Sequence, residues 1–125
     1  MIVGLGLDIV EIAQIQRMLG KRGEDFEQRV FTQGERDACA GRVDRDQALA
    51  ARYAAKEACL KALGSGVSEG LAFQQVEVVD GEGGAPILKL TGKAAERAKS
   101  RGVRQVHVTL SHQPGVAAAA VILEG

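Results

Sequence analysis

The chain has 125 residues, of which 46% are hydrophobic and 26% are charged, which is the balance of a folded globular protein and excludes a disordered chain. Its 16 basic and 16 acidic residues cancel, so no overall positive field exists to attract nucleic acid, and no nucleic-acid partner is expected. No apolar run approaches the roughly 20 residues that cross a bilayer, so residues 1–125 are expected to form one soluble domain with no membrane partner.

The two cysteines, Cys39 and Cys59, have no recognisable metal-ligand spacing and are expected to be free thiols of an intracellular protein. Met1 leads directly into an apolar stretch without a basic segment before it, so no signal peptide is expected. The predicted location is therefore the cytoplasm.

The first strand and the first helix are predicted to follow one another. Residues 1–8 are predicted to form a strand, and its two glycines at i and i+2 suggest that another backbone or a ligand passes close to it. Apolar residues then recur at helical spacing and predict an amphipathic helix that ends near Gly20 or Gly23. A short helical or irregular piece is expected over residues 26–31.

Two further helices are predicted before the chain turns to strands. Thr32 and Glu35 have the spacing of a capping box, which predicts a helix from there to about Ala40. The alanine-rich residues 47–63 give the strongest helix prediction in the chain, and the glycines that follow are expected to stop it.

The C-terminal half is predicted to be mostly β-structure. Residues 73–79 and 87–90 flank a glycine-rich turn and predict a hairpin. Residues 91–100 are predicted to be a helix, and residues 103–111 and 116–123 are predicted to be strands joined by a turn. The predicted fold class is α+β, a mainly antiparallel sheet with one long helix packed on it.

Asp8 follows an apolar, glycine-bearing strand and precedes a helix. A carboxylate in this position can cap the helix N-terminus, or it can be a ligand for a hard cation. Position alone leaves both interpretations open, and the second requires another oxygen donor.

Glu57 is the candidate for that second donor. It lies in the middle of the predicted long helix and shares one face with Tyr53 and Lys61 at i, i+4 and i+8. A solvated Glu–Lys pair is the simpler interpretation of this spacing. Flanking alanines, which let a ligand approach, and the Leu-Gly-Ser-Gly that ends the helix favour a binding site.

The segment from Lys61 to Gly66 combines an amine, a hydroxyl and flexible glycines. Such a loop can offer backbone N–H groups to phosphate oxygens. A glycine at a helix C-terminus is also an ordinary cap, so the segment alone is a weak signal for a phosphate site.

Two polar features complete the candidates. His107 shares one face of its predicted strand with Thr109 and Ser111, and a hydrogen-bonded surface histidine is its simpler interpretation. The first helix and the residues after it carry a local basic patch. Such a patch is usually only solvated surface, but in a net-neutral protein it can dock an acidic partner. The patch consists of Arg17, Lys21, Arg22 and Arg29.

Three linked motifs resemble one known family. They are Gly4-Leu-Gly-Leu-Asp8, Arg52-Tyr-Ala-Ala-Lys56-Glu57-Ala-Cys-Leu-Lys61-Ala-Leu-Gly-Ser-Gly66 and His107-Val-Thr-Leu-Ser-His112. In this order and spacing, over residues 2–124, they look like the 4′-phosphopantetheinyl transferases, and specifically their small-subunit class, the holo-acyl-carrier-protein synthases. Each motif alone is unspecific, whereas the combination is highly specific.

The resemblance implies an α+β fold that assembles as a homotrimer, with active sites at the subunit interfaces. It implies a magnesium-dependent enzyme of fatty-acid biosynthesis. Such an enzyme transfers the 4′-phosphopantetheine arm of coenzyme A to a serine of apo-acyl-carrier protein and releases adenosine 3′,5′-bisphosphate.

The same resemblance implies roles for individual residues. Asp8 and Glu57 fall on the magnesium positions, and Glu57 and Lys61 fall on catalytic positions. The implied contacts to coenzyme A are Arg52, Lys61, Ser65, Gly66, His107 and Thr109. The implied surface for the carrier protein is the basic first helix, with Arg17, Lys21 and Arg22.

The chain departs from the family pattern in modest ways. Tyr53 stands where phenylalanine is commoner, and Gly-Ser-Gly replaces Gly-Thr-Gly. Gln14 stands where some members carry a basic residue, which shifts the expected carrier-protein contact towards the other basic residues of the first helix.

Three other functions remain compatible with parts of the pattern. The first is a non-catalytic module that binds coenzyme A and would need no metal pair. The second is a transferase for a carrier domain of a polyketide or peptide synthase, and the third is a purely structural trimer. The group that takes the proton of the acceptor serine is also open. A metal-held water that relays to Glu57 is favoured, and Glu35 is the alternative.

Overall fold

The computed structural model describes residues 1–64 and 70–125, except the side chains of residues 22 and 23. Its elements are β1 (Ile2–Glu11), α1 (Ile12–Val30), α2 (Gln33–Cys39), α3 (Arg45–Ala62), β2 (Val76–Asp80), β3 (Pro86–Leu90), α4 (Gly92–Ser100), β4 (Gln105–Gln113) and β5 (Val116–Glu124). The predicted α+β class is confirmed. Among the described residues, no helix is both long and apolar enough to span a membrane.

The strands that the structure describes form two antiparallel sheets rather than one. β1, β5 and β4 lie side by side in that order, and β2 and β3 form the predicted hairpin. Since β1 and β5 come from opposite ends of the chain, their pairing closes the fold, and Asp8 lies opposite Ala119 in it.

The long helix α3 packs across β1 and β5. Most of its residues are buried, and alanine is the commonest of them. The glycines of β1 show how close this packing is: a Cβ atom on Gly6 would lie 1.8 Å from the carbonyl oxygen of Ala58, and one on Gly4 would lie 2.2 Å from that of Ala62. The prediction that another backbone passes close to these glycines is therefore confirmed.

The first helix was predicted wrongly, because α1 continues through Gly20 and Gly23 to Val30. A glycine inside a helix costs about 1 kcal/mol relative to alanine, but it stops the helix only where it turns to positive φ. Gly20 has no positive φ, and α1 continues beyond it. Phe26 and Val30 are buried on the same element and stabilise its second half.

The capping box that was predicted before α2 is present. The Thr32 hydroxyl accepts a hydrogen bond from the backbone N–H of Glu35, and the Glu35 carboxylate accepts one from the backbone N–H of Thr32. α2 thereby begins at a defined residue and packs with α1 and the start of α3 around a second apolar cluster.

Candidate active site

The candidate site lies where β1 crosses α3. Asp8 has the same strand parity as Gly4 and Gly6, so it faces α3, and its side chain is only 11% exposed. β1 extends three residues beyond Asp8, and the residue that precedes α1 is Glu11. The helix-cap interpretation of Asp8 is therefore wrong.

Lys61, near the end of α3, reaches across to this carboxylate. Its Nζ lies 2.9 Å from Oδ1 of Asp8 and 3.1 Å from the carbonyl oxygen of Leu7. The lysine side chain is 53% exposed. The amine thus bonds across to the strand, and the Glu57–Lys61 pair is not the isolated surface pair that the helical spacing alone would suggest.

Glu57 and Tyr53 continue the same face of α3 by one and two turns. Tyr53 is half-buried and stacks on Phe73, with ring centroids 5.5 Å apart. Burial raises the pKa of Tyr53, and so do the negative charge of the nearby Glu57 carboxylate and, more weakly, that of Asp8. Since Lys61 contacts Asp8 and lies one turn from Glu57 on α3, Asp8 and Glu57 lie in the same region of the molecule.

The chemistry of these donors fits a magnesium ion. Mg²⁺ prefers oxygen ligands and is commonly held by one or two carboxylates, with waters and substrate phosphates in its other positions. Asp8 and Glu57 offer two carboxylates, and the carboxylate of Asp8 already binds one cation, the ammonium group of Lys61. Within residues 1–64 and 70–125, no group of three or more His, Cys, Asp or Glu side chains converges as a metal site.

Arg52, an implied contact to coenzyme A, lies apart from this cluster. It is buried, with Nη1 3.3 Å from the carbonyl oxygen of Ala48 and Nη2 4.0 Å from Oδ1 of Asp80 at the end of β2. Its buried Nε has no hydrogen-bond partner in the part of the chain that the structure describes.

The other implied contacts are also separate from Asp8 within one chain. His107 and Thr109 project from the outer face of the three-stranded sheet, whereas Asp8 projects from the inner face. Nε2 of His107 lies 2.8 Å from Oε1 of Glu124. Ser65 and Gly66 lie outside the described residues.

Glu35 is fully buried, which argues against a direct role as a base. Its Oε1 lies 2.7 Å from Nζ of Lys56, and its Oε2 accepts the backbone N–H of Val78 at 2.7 Å. A carboxylate with both oxygens bonded inside the protein has a structural role.

Arg97 of α4 and Arg101, the residue that follows α4, hold the end of α3, and no motif had singled them out. Arg101 donates to the carbonyl oxygens of Ala62, at 3.1 Å, and of Val3, at 2.6 Å, while Arg97 donates to that of Leu63 at 3.2 Å. They satisfy helix-terminal carbonyls that lack partners within α3. Their i, i+4 spacing at the end of α4 was the only sequence signal.

An exposed basic face of α1 lies close to this region. Arg17 and Lys21 line a surface depression together with Met18. Met18 also belongs to a neighbouring apolar groove, whose walls include Phe26, Tyr53 and Phe73. Arg22 lies on the same helix, and its side chain is outside the described residues. Tyr53 therefore joins the groove to Glu57.

Comparison with known proteins defines the class. Residues 4–120 match the family model of the 4′-phosphopantetheinyl transferase superfamily, and the chain belongs to this superfamily.

Particular relatives lie within that class. The chain is 54% identical to the holo-[acyl-carrier-protein] synthase of Anaeromyxobacter dehalogenans, covering 100% of this chain and 98% of the relative. It is 44% identical to that of Maridesulfovibrio salexigens, covering 99% of each. The resemblance seen in the sequence motifs is thus confirmed.

Solved structures agree with this placement. The holo-[acyl-carrier-protein] synthase of Neisseria meningitidis superposes with a TM-score of 0.92 at 29% identity, over 100% of both chains. That of Bacillus anthracis, in complex with CoA (3′,5′-ADP), superposes with a TM-score of 0.83 at 35% identity, over 100% of this chain and 98% of that one.

Proposed function

We propose that this protein transfers the 4′-phosphopantetheine arm of coenzyme A to a serine of the apo-acyl-carrier protein of fatty-acid biosynthesis, releasing adenosine 3′,5′-bisphosphate. The observation that carries the proposal is the contact of Lys61 with Asp8 at the crossing of β1 and α3, one helical turn from Glu57. The names of the relatives and the coenzyme A complex of the Bacillus anthracis protein support the same substrates.

Asp8 and Glu57 are the residues that would hold Mg²⁺. A magnesium ion bound there would neutralise charge on the diphosphate and orient it for attack. Catalysis of such a transfer is mostly positioning and electrostatics, so the enzyme needs no nucleophile of its own. Tyr53 lies one helical turn from Glu57 on α3, where its hydroxyl would help to position the Glu57 carboxylate.

In the transfer, the serine oxygen forms a bond to the phosphorus that carries the pantetheine arm, and the bond from that phosphorus to the bisphosphate oxygen breaks. The electron pair leaves with adenosine 3′,5′-bisphosphate, and Lys61 stabilises the negative charge that builds there. The serine proton passes through a water molecule to Glu57, since Glu35 is bonded and buried.

The carrier protein would dock on α1. Arg17 and Lys21 are exposed there and would pair with acidic side chains of the partner. The apolar groove beside them reaches Tyr53, one helical turn from Glu57. A partner seated on α1 would therefore present its serine towards the Asp8–Glu57 pair.

We infer that the functional assembly is a homotrimer. Leu5, Leu7 and Ile9 project from the outer face of β1 and are 68%, 61% and 66% exposed, which is unusual for a chain that acts alone. His107 and Thr109 lie on β4 of the same face. A trimer that covers the apolar part would place these polar residues at the subunit boundary, where the nucleotide of coenzyme A would bind.

A cytoplasmic location is part of the same proposal. Cys39 and Cys59 are both buried free thiols, as is usual in a reducing compartment.

The decisive experiment mixes the protein with apo-acyl-carrier protein, coenzyme A and Mg²⁺ and detects the phosphopantetheine adduct by mass spectrometry. Asp8→Ala and Glu57→Ala are each expected to lower the rate by about 100-fold or more, the scale of losing a group that stabilises transition-state charge. Glu96→Ala removes an exposed carboxylate from α4 and should leave the rate unchanged. Near-normal rates for both site variants, with Mg²⁺ as the only metal, would exclude the metal pair.

A further inference from the structure

Lys61 forms an ion pair with Asp8, one of the two carboxylates that are proposed to hold the metal. Its Nζ lies 2.9 Å from Oδ1 of Asp8, and it also donates to the carbonyl oxygen of Leu7 at 3.1 Å. Asp8 is only 11% exposed, so little solvent reaches it, and the ammonium group is its neighbouring counter-charge. Lys61 is 53% exposed, and its flexible side chain can turn away from β1 towards solvent.

An ammonium group in this position competes with a divalent cation. The carboxylate has two oxygens, but two cations in contact with one carboxylate repel one another. The low exposure of Asp8 weakens the screening of this repulsion by water. Metal binding therefore favours a conformation in which Lys61 has moved away from Asp8.

A diphosphate gives Lys61 another partner. Lys61 lies in the last turn of α3, on the exposed side of Asp8, and phosphate oxygens are strong acceptors for an ammonium group. When Lys61 turns to the diphosphate, it releases Oδ1 of Asp8 to the metal. When the metal binds Asp8, it releases the lysine to the diphosphate. Each ligand then raises the affinity for the other, by the same factor in both directions.

We propose that Lys61 couples metal binding to coenzyme A binding by exchanging Asp8 for the diphosphate, so that the metal binds weakly until coenzyme A is present. This inference rests on the proposed function, because it uses the same metal pair and the same substrate. It adds a second role for Lys61, in making the metal and coenzyme A bind cooperatively.

The test measures affinity rather than activity. Mn²⁺ is titrated into the full chain with and without coenzyme A, and the unbound ion is measured by electron paramagnetic resonance. For the unaltered chain, coenzyme A is expected to lower the Kd for Mn²⁺ by about tenfold or more, within the usual range of coupling between sites. Lys61→Met should bind Mn²⁺ more tightly without coenzyme A, and its coupling factor should be smaller.

Lys99→Met is the matched control, because it removes one exposed positive charge from α4. Its Kd for Mn²⁺ should equal that of the unaltered chain. Lys61→Gln provides a second neutral variant and should behave like Lys61→Met. The reciprocal measurement, the effect of Mn²⁺ on the Kd for coenzyme A, should show the same reduced factor in both variants.

The outcomes separate this inference from the proposed function. If the unaltered chain binds Mn²⁺ with coenzyme A and loses it in Asp8→Asn, but Lys61→Met binds no more tightly than the unaltered chain, the exchange is excluded and the metal site stands. An unchanged coupling factor in Lys61→Met excludes it equally. If the unaltered chain binds no Mn²⁺ even with coenzyme A, the metal site and the exchange both fail.

Discussion

Gly6 is the residue at which β1 comes closest to α3. In Gly6→Ala the new Cβ atom would lie 1.8 Å from the backbone oxygen of Ala58, so strand and helix would have to separate. We expect the free energy of unfolding to fall by about 3 kcal/mol, the upper end of typical overpacking, as measured by urea denaturation. The transfer rate should fall too, since Asp8 lies two residues further along the same strand.

Gly20→Ala is the control for this substitution. Gly20 lies inside α1, and a Cβ atom there meets nothing within 4 Å. Alanine is a better helix former than glycine, so this variant should be more stable by up to about 1 kcal/mol. If both variants changed stability alike, close packing would not be the reason for Gly6.

Cys59 is expected to lower the free energy of unfolding at alkaline pH. Burial raises the pKa of its thiol to about 12, against the opposing charge of Lys56. Because this pKa exceeds the value of 9.0 for an exposed thiol, the contribution to stability is complete below pH 9 and is lost as the pH rises from 9 towards 12. Cys59→Ala should flatten the decline in unfolding free energy above pH 9, measured by urea denaturation at several pH values. An equally steep decline in the variant would mean that other groups cause it.

At the scale of elements, one buried ion pair joins α2, α3 and β2. Glu35 is bonded to Lys56 at 2.7 Å and to the backbone of Val78, and both side chains are fully buried. Lys56→Met should lower the free energy of unfolding by about 3–5 kcal/mol, because it leaves a buried carboxylate without its counter-charge.

Adding Glu35→Gln to Lys56→Met provides the control, since the amide carries no charge and its one carbonyl oxygen can still accept one of the two backbone hydrogen bonds. The double variant should regain part of the lost stability in guanidinium denaturation. If it is less stable than Lys56→Met alone, the uncompensated charge is not the cause of the loss.

The elements that the sequence predicted best carry local signals. The capping box of Thr32 and Glu35 and the alanines of α3 act over one or a few helical turns, and both predictions are confirmed. The length of α1 depends instead on Phe26 and Val30, which are buried against distant parts of the chain. β1 extends past Asp8 because Ile9 and Val10 pair with β5, more than 100 residues away.

The site was predictable to a similar degree. The motifs singled out Asp8, Glu57 and Lys61, but the contact between Asp8 and Lys61 depends on how β1 lies on α3, which no local pattern encodes. Arg101 lay outside every motif because its partners are backbone carbonyls, which any sequence provides.

At the scale of the molecule, the proposed homotrimer depends on the outer face of the three-stranded sheet. Leu7 lies near the middle of that face, opposite Ala120 of β5, and is 61% exposed. In the proposed homotrimer this side chain is buried between subunits, so Leu7→Asp should bury a carboxylate there and shift the protein to monomers. Sedimentation velocity measures the change, and the transfer rate should fall in parallel because His107 and Thr109 would no longer lie at a subunit boundary.

Val43→Asp is the control, because it also replaces an exposed aliphatic side chain with a carboxylate. Val43 is fully exposed in the connection before α3, away from the outer face of the sheet. This variant should keep both the oligomeric state and the activity of the unaltered chain. A trimer that persists in Leu7→Asp would place the interface elsewhere. If the unaltered chain is monomeric and fully active, the homotrimer proposal is wrong. A single chain would then have to bring His107 and Asp8 to one substrate, although they lie on opposite faces of its sheet.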